Sequence, residues 1–124
     1  MSDLYRFCRA EQKAAPPDEP VDGAALVALA AAGDAAAEAA LDLFIDLYGS
    51  WVGNVALLLQ PRGGLYVAGG IAVHLQARLQ SPRFMAAAGD KGRMRGVVER
   101  TPIFLVTNSR LGVQGAVATA FATP

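Results

Sequence analysis

One apolar series constrains this chain more than any other feature: Leu41, Phe44, Ile45, Tyr48, Val52, Val55 and Leu59. Its steps of 3, 1, 3, 4, 3 and 4 residues keep the side chains on one face of a helix. Gly49 and Gly53 lie four residues apart within it. A glycine in a helix is about 1 kcal/mol less favourable than alanine. Two on one face therefore point to a neighbouring backbone packed close, with tight core packing as the plain explanation. Asp34 is placed to cap this helix, Glu38 lies in its early turns, and Pro61-Arg62-Gly63-Gly64 ends it.

Upstream, "MSDLYRFCR" offers Leu4, Tyr5, Phe7 and Cys8 for one turn of a docking helix. "AAPPDEPVDG", residues 14–23, has three prolines and three acids in ten residues and reads as an exposed linker. Asp22 is a candidate N-cap for a short helix ending near Gly33. Downstream, Leu65 to Ala68 and "PIFLVTN", Pro102 to Asn108, read as two buried strands. Between them Ile71 to Leu79 should be helical, and Pro82 suits the first turn of another helix. The turn-rich "GDKGRMRGVVER" leads into a short helix, and "SRLGVQGAVATAF" closes the chain with small residues on a last one. Strands alternating with helices suggest parallel pairing through a right-handed crossover. Two strands alone make a poor parallel sheet. The expected class is α/β, a mainly helical fragment with about two parallel strands forming an edge of a larger layer.

At 124 residues the chain is one modest domain. Apolar residues make up 53%, but many are alanines, so the core should rest on a limited set of Leu, Val, Ile and Phe. With 11 basic and 11 acidic side chains the net charge is zero, which argues against nucleic acid or an acidic membrane as a partner. No apolar run looks long enough to span a bilayer, and the first residues are too polar for a signal peptide. The single cysteine, Cys8, cannot close an intrachain disulfide and fits a cytoplasmic setting. One His and one Cys make a structural zinc site improbable, and no metal site is expected.

The candidate site is Gly69-Gly70, at the end of the first strand and the start of a helix. In open α/β sheets ligands bind at the carboxyl ends of strands. Glycine there lets a ring or phosphate approach without a Cβ clash, and the following helix start offers free N–H groups. A tight strand-to-helix turn explains the pair equally well. No lysine followed by Ser or Thr makes this a Walker loop. G-x-G-x-x-G is absent, and Asp90, about twenty residues on, falls in a turn. Lys91, Arg93 and Arg95 read as a solvated turn with local ion pairs, His74 as a surface group without a carboxylate partner, and Cys8 as a thiol with no base beside it.

The segments "GGLYVAGGI", "SPRFMAAAGDKGRMRGVVERTPIFLVTN" and "LGVQGAVA" resemble, in order and spacing, the C-terminal part of bacterial glucokinases. "LYGSWVGNVAL" is similar to that family's helix before the Gly-Gly strand, and "LYRFC" to an earlier Tyr-containing helix. The resemblance covers most of residues 1–124 and is weakest from Ala14 to Gly33. It implies the large lobe of an actin-like (ribonuclease H-like) sugar kinase, with ATP and magnesium as cofactors and glucose as substrate. It implies that Gly69, Gly70 and Ile71 form part of the adenosine site. Gly112, with Gly115 and Ala116, belongs by the same resemblance to a connecting helix and is counted with that site. The family's "DxGGTN"-like and "GTGLG"-like phosphate loops, its "NDF"-like catalytic segment and its "EGGH"-like sugar segment are not found in this sequence. The expectation is a C-terminal portion that carries no catalytic residue and is inactive alone. A non-catalytic α/β interaction or dimerisation module derived from a sugar kinase is the alternative. Trp51 with Phe44 and Tyr48 should form an apolar surface that a second copy covers, giving a homodimer.

Overall fold

The computed structural model describes residues 1–122. The elements run α1 (Ser2–Glu11), α2 (Gly23–Ala31), α3 (Ala35–Leu59), β1 (Leu65–Val67), α4 (Gly70–His74), α5 (Gln76–Leu79), α6 (Pro82–Gly89), a 3-10 turn (Gly92–Met94), α7 (Arg95–Glu99), β2 (Ile103–Leu105) and α8 (Leu111–Ala122). The two helix starts named from the sequence are capped as expected. The Asp22 carboxylate accepts from Ala25 N at 2.7 Å and the Asp34 carboxylate from Ala37 N at 2.9 Å, so each takes an N–H that the first helical turn leaves unpaired. Pro82 stands in the first turn of α6.

α3 is the axis of the molecule, with α1, α2 and α6 packed around it. Leu41, Ile45 and Val52 are buried on it together with Ala36, Ala37, Ala40 and Ala56. Tyr5 and Cys8 from α1, Leu26 from α2 and Phe84 from α6 complete the surrounding core. Each fully buried Leu, Ile or Val contributes about 1.5–3 kcal/mol. The alanines contribute less, but they let the helices approach closely. Gly49 and Gly53 are where α6 comes nearest. A Cβ at Gly49 would lie 2.6 Å from Phe84 O and 3.0 Å from Ala87 Cβ, and one at Gly53 would run into the backbone of Ala88.

α3 also corrects one expectation: by length and composition it is apolar enough to cross a membrane. Its Leu, Ile, Val and Ala are interrupted by Glu38, Asp42, Asp46, Ser50 and Asn54, so no single run stood out. The helix is the centre of the core, and its Glu38, Asp42 and Asp46 are engaged in ion pairs.

The strands pair in parallel, Leu65 with Ile103, Tyr66 with Phe104 and Val67 with Leu105. Both are shorter than the apolar runs suggested. Pro102 has no N–H and joins only through its carbonyl, which accepts from Leu65 N at 2.8 Å. At the other end Val106 N donates to Val67 O at 2.8 Å, and no strand continues. Leu65, Val67, Ile103 and Leu105 belong to the core, whereas Tyr66 and Phe104 stack on the open face with ring centres 5.0 Å apart. The helix expected over 71–79 is interrupted. Leu75 leaves helical geometry (φ −108°, ψ 20°), and Ala72, Leu75 and Leu79 around the break are all buried.

Candidate functional site

β1 delivers Ala68 and the Gly69-Gly70 turn at its carboxyl end, and β2 delivers Val106, Thr107 and Asn108 at the same end of the sheet. Gly69 has φ +104° and ψ −175°, a region that side-chain-bearing residues rarely adopt. The conformation, and not crowding, is what requires glycine here: an added Cβ at Gly69 or Gly70 would meet nothing within 4 Å. The backbone of this turn therefore faces open space, with Ile71 half exposed beside it. α4 is a single turn of five residues and makes a limited helix end.

Gly112 stands on a different element. After β2 the chain turns at Asn108, whose side-chain oxygen accepts from Arg110 N at 3.0 Å and whose amide donates to Gln114 at 2.7 Å. α8 then carries Gly112 and Gly115 with open space around both, and no described residue of α8 is buried. The structure thus brings Gly69, Gly70 and Ile71 together and carries Gly112 on α8, which follows β2 from the same end of the sheet.

The other residues singled out from the sequence fall as follows. His74 is exposed at the end of α4. Cys8 is buried, and that burial, with Glu11 nearby, pushes its thiol above the ordinary value, away from a reactive thiolate. Lys91 is not part of a freely solvated turn: its ammonium donates to Ser50 Oγ on α3 at 3.0 Å. Arg95 pairs with Glu99 at 2.7 Å. A cleft of about 740 Å³ lies between α3 and the α6–α7 region, away from the glycine turn. Its two arginines, Arg83 and Arg95, are already matched to carboxylates. Among the described residues no group of His, Cys, Asp and Glu could hold a metal ion.

Sequence reasoning missed a charged ladder along α3. Glu38, Asp42 and Asp46, four residues apart, face Arg78 from α5 and Arg83 from α6. Arg78 reaches Glu38 at 2.6 Å and Asp42 at 3.1 Å, and Arg83 reaches Asp42 and, at 2.6 Å, Asp46. The hydrogen bond from Arg78 holds the Glu38 carboxyl below its ordinary range, and that from Arg83 does the same for Asp46. The four-residue spacing of the acids was visible, but their partners lie 36 to 41 residues away.

A mainly helical chain with two parallel strands and a glycine turn at their carboxyl ends has the fold of part of a sugar kinase. A solved structure, the glucokinase of an Antarctic psychrotroph, is similar over 98% of this chain and 38% of its own, with TM-score 0.83 and 30% identity. The glucokinase family model matches residues 1–123, and the chain belongs to that family. The glucokinase of Nostoc sp. is 41% identical over 108 residues, which is 86% of this chain and 32% of the relative. The glucokinase of Synechocystis sp. is 45% identical over 102 residues, 81% of this chain and 29% of the relative. The chain thus spans about a third of the length of the curated relatives it matches.

Proposed function

We propose that this chain is the C-terminal portion of the large lobe of an ATP-dependent glucokinase and supplies the adenosine side of the nucleotide site. One observation carries the reading: in a chain of this family, Gly69 turns with a positive φ at the carboxyl end of a parallel strand and leaves its backbone open to a ligand. A nucleoside would lie against Gly69, Gly70 and Ile71, with Gly112 on the neighbouring element. In the complete reaction the sugar 6-hydroxyl attacks the γ-phosphorus of ATP. A new P–O bond forms, the bond to the β-phosphate oxygen breaks, ADP leaves and the hydroxyl proton passes to a base. Such a transfer needs positioned donors, a base and magnesium around the phosphates. No residue here is assigned to that role. The glycine turn fits a nucleoside, whereas magnesium, held with the phosphates, and glucose would be bound by the rest of the enzyme. The chain alone is inactive in this reading, and the setting is cytoplasmic.

A second copy of the chain is the proposed partner in a homodimer. Support comes from the stacked row Phe44, Tyr48 and Trp51, with ring centres 5.5 and 6.0 Å apart, which ends in a Trp51 left 58% exposed. A single monomeric species in light scattering at high concentration would remove this part of the reading.

The direct test of the site is a titration with ATP–Mg²⁺, with and without glucose, followed through backbone amide shifts. Weak binding with shifts confined to Gly69, Gly70 and α4, indifferent to glucose, is expected, because half a site lacks the phosphate donors. No shifts would favour the non-catalytic interaction module. Tight, glucose-dependent binding would refute the assignment of an incomplete site.

A further inference from the structure

The turn at Gly69-Gly70 continues into α4 and α5, two short helices joined at Leu75. Neither holds itself: a helix of five or four residues is not stable on its own. Their apolar anchorage is limited to Ala72, Leu75 and Leu79. Among the described residues one side chain supplies the polar anchorage of this segment to α3. Arg78 sends one guanidinium nitrogen to Glu38 at 2.6 Å and another to Asp42 at 3.1 Å, while its own carbonyl accepts from Ser81 Oγ at 2.6 Å. Among the described residues no other hydrogen bond ties α4 or α5 to α3 or to the sheet. A planar guanidinium gripping two carboxylates one helical turn apart fixes direction as well as distance.

We propose that Arg78 is the positioning residue of the glycine turn: its two-carboxylate grip on α3 sets where α5, then Leu75 and α4, and so the backbone of Gly69 to Ile71, come to rest. The consequence for nucleotide binding rests on the function proposed above. The positioning itself does not. Arg83 provides an internal comparison, because it makes an equivalent two-carboxylate grip on Asp42 and Asp46 from α6, which does not carry the turn.

The experiment compares R78Q, R78K, E38Q and R83Q in the full 124-residue chain. Amide hydrogen exchange is read along Ile71 to Leu79, and the ATP–Mg²⁺ titration is read at Gly69 and Gly70. R78Q should speed exchange over that segment by about three- to tenfold and weaken nucleotide binding by a similar factor, as expected for partly exposed ion pairs. R78K should fall between R78Q and wild type, since an ammonium cannot span both carboxylates. E38Q, which leaves Arg78 in place and disturbs the fold least, should give the same localised loosening at smaller amplitude. R83Q, which frees one oxygen of the shared Asp42 but leaves both Arg78 contacts in place, should loosen Ile71 to Leu79 clearly less than R78Q. Equal effects of R78Q and R83Q on this segment, or none from R78Q and E38Q, would overturn the proposal. So would localised loosening in a chain that still binds nucleotide with wild-type affinity. A wild-type chain that shows no ATP-dependent shifts while R78Q still loosens only this segment would defeat the nucleotide reading and sustain the positioning role.

Discussion

Replacing Gly49 or Gly53 with alanine sets two known effects against each other. Alanine favours the helix by about 1 kcal/mol over glycine. Against this, the new Cβ at Gly49 would stand 2.6 Å from Phe84 O and 3.0 Å from Ala87 Cβ. The first neighbour is backbone, so α6 itself must retreat by roughly half an ångström, and overpacking of this kind costs about 1–3 kcal/mol or more. With backbone on one side and no rotamer to give way, the upper end applies, and the net loss for G49A is about 2 kcal/mol. G53A, which meets both the Ala88 carbonyl and the Lys91 side chain, should lose more. G112A is the control: it lies in α8 with open space around it, so only the propensity remains and α8 should gain about 0.5–1 kcal/mol of helix stability. Urea unfolding with m held constant measures the first two, and amide exchange within α8 measures the third. If G49A and G53A match the stability of wild type or exceed it, the close crossing of α3 and α6 is wrong.

Three further outcomes follow from the geometry. Asp34 accepts from the Tyr5 hydroxyl at 2.7 Å and caps α3, and these bonds, the hydroxyl first, hold its carboxyl below the ordinary value. A depressed carboxyl stabilises the fold above its unfolded pKa and loses that contribution as pH falls through the folded value. D34N should therefore flatten the acid limb of stability below about pH 4 while keeping a cap, and D34A should cost about 1 kcal/mol at neutral pH. An acid limb unchanged in D34N would contradict the Tyr5–Asp34 bond. G69A should destabilise by about 1 kcal/mol because of its φ of +104°, despite free space for the methyl group, whereas G70A should be neutral or stabilising in urea unfolding. Cys8 should alkylate far more slowly in the native chain than in urea, and comparable rates would contradict its burial.

Much of the architecture was legible because it is governed locally. Asp22 and Asp34 announce their helices, and Gly49 and Gly53 mark a crossing whose partner only the structure names as α6. Of the apolar series, Leu41, Ile45 and Val52 mark the buried face of α3, whereas Phe44, Tyr48 and Val55 are partly covered and Leu59 is exposed; alanines and the two glycines fill the rest of that face. The strands were legible as apolar runs but not in length, because pairing ends where the neighbour stops offering bonds, at Pro102 and beyond Leu105. The break at Leu75 was not legible, since Ala72, Leu75 and Leu79 keep the steps of an unbroken helix. Of the site, Gly69-Gly70 stood out as a turn; that its backbone faces open space depends on what surrounds it and is written in no local pattern. Arg78 and Arg83 escaped notice because an ion pair across three dozen residues leaves no spacing signal.

α8 has a consequence for how the molecule holds together in time. None of its twelve residues is buried in the described chain, and a helix of that length is marginal in water by itself. Leu111 to Ala122 should thus melt independently of the α3-centred body, with amides that exchange near the rate of an isolated peptide while those of Leu41 to Val52 report global opening. Any surface that receives α8 must then supply the free energy of winding it. Docking and coil-to-helix conversion become one event, with affinity lowered by the ordering entropy and tunable by helix propensity alone.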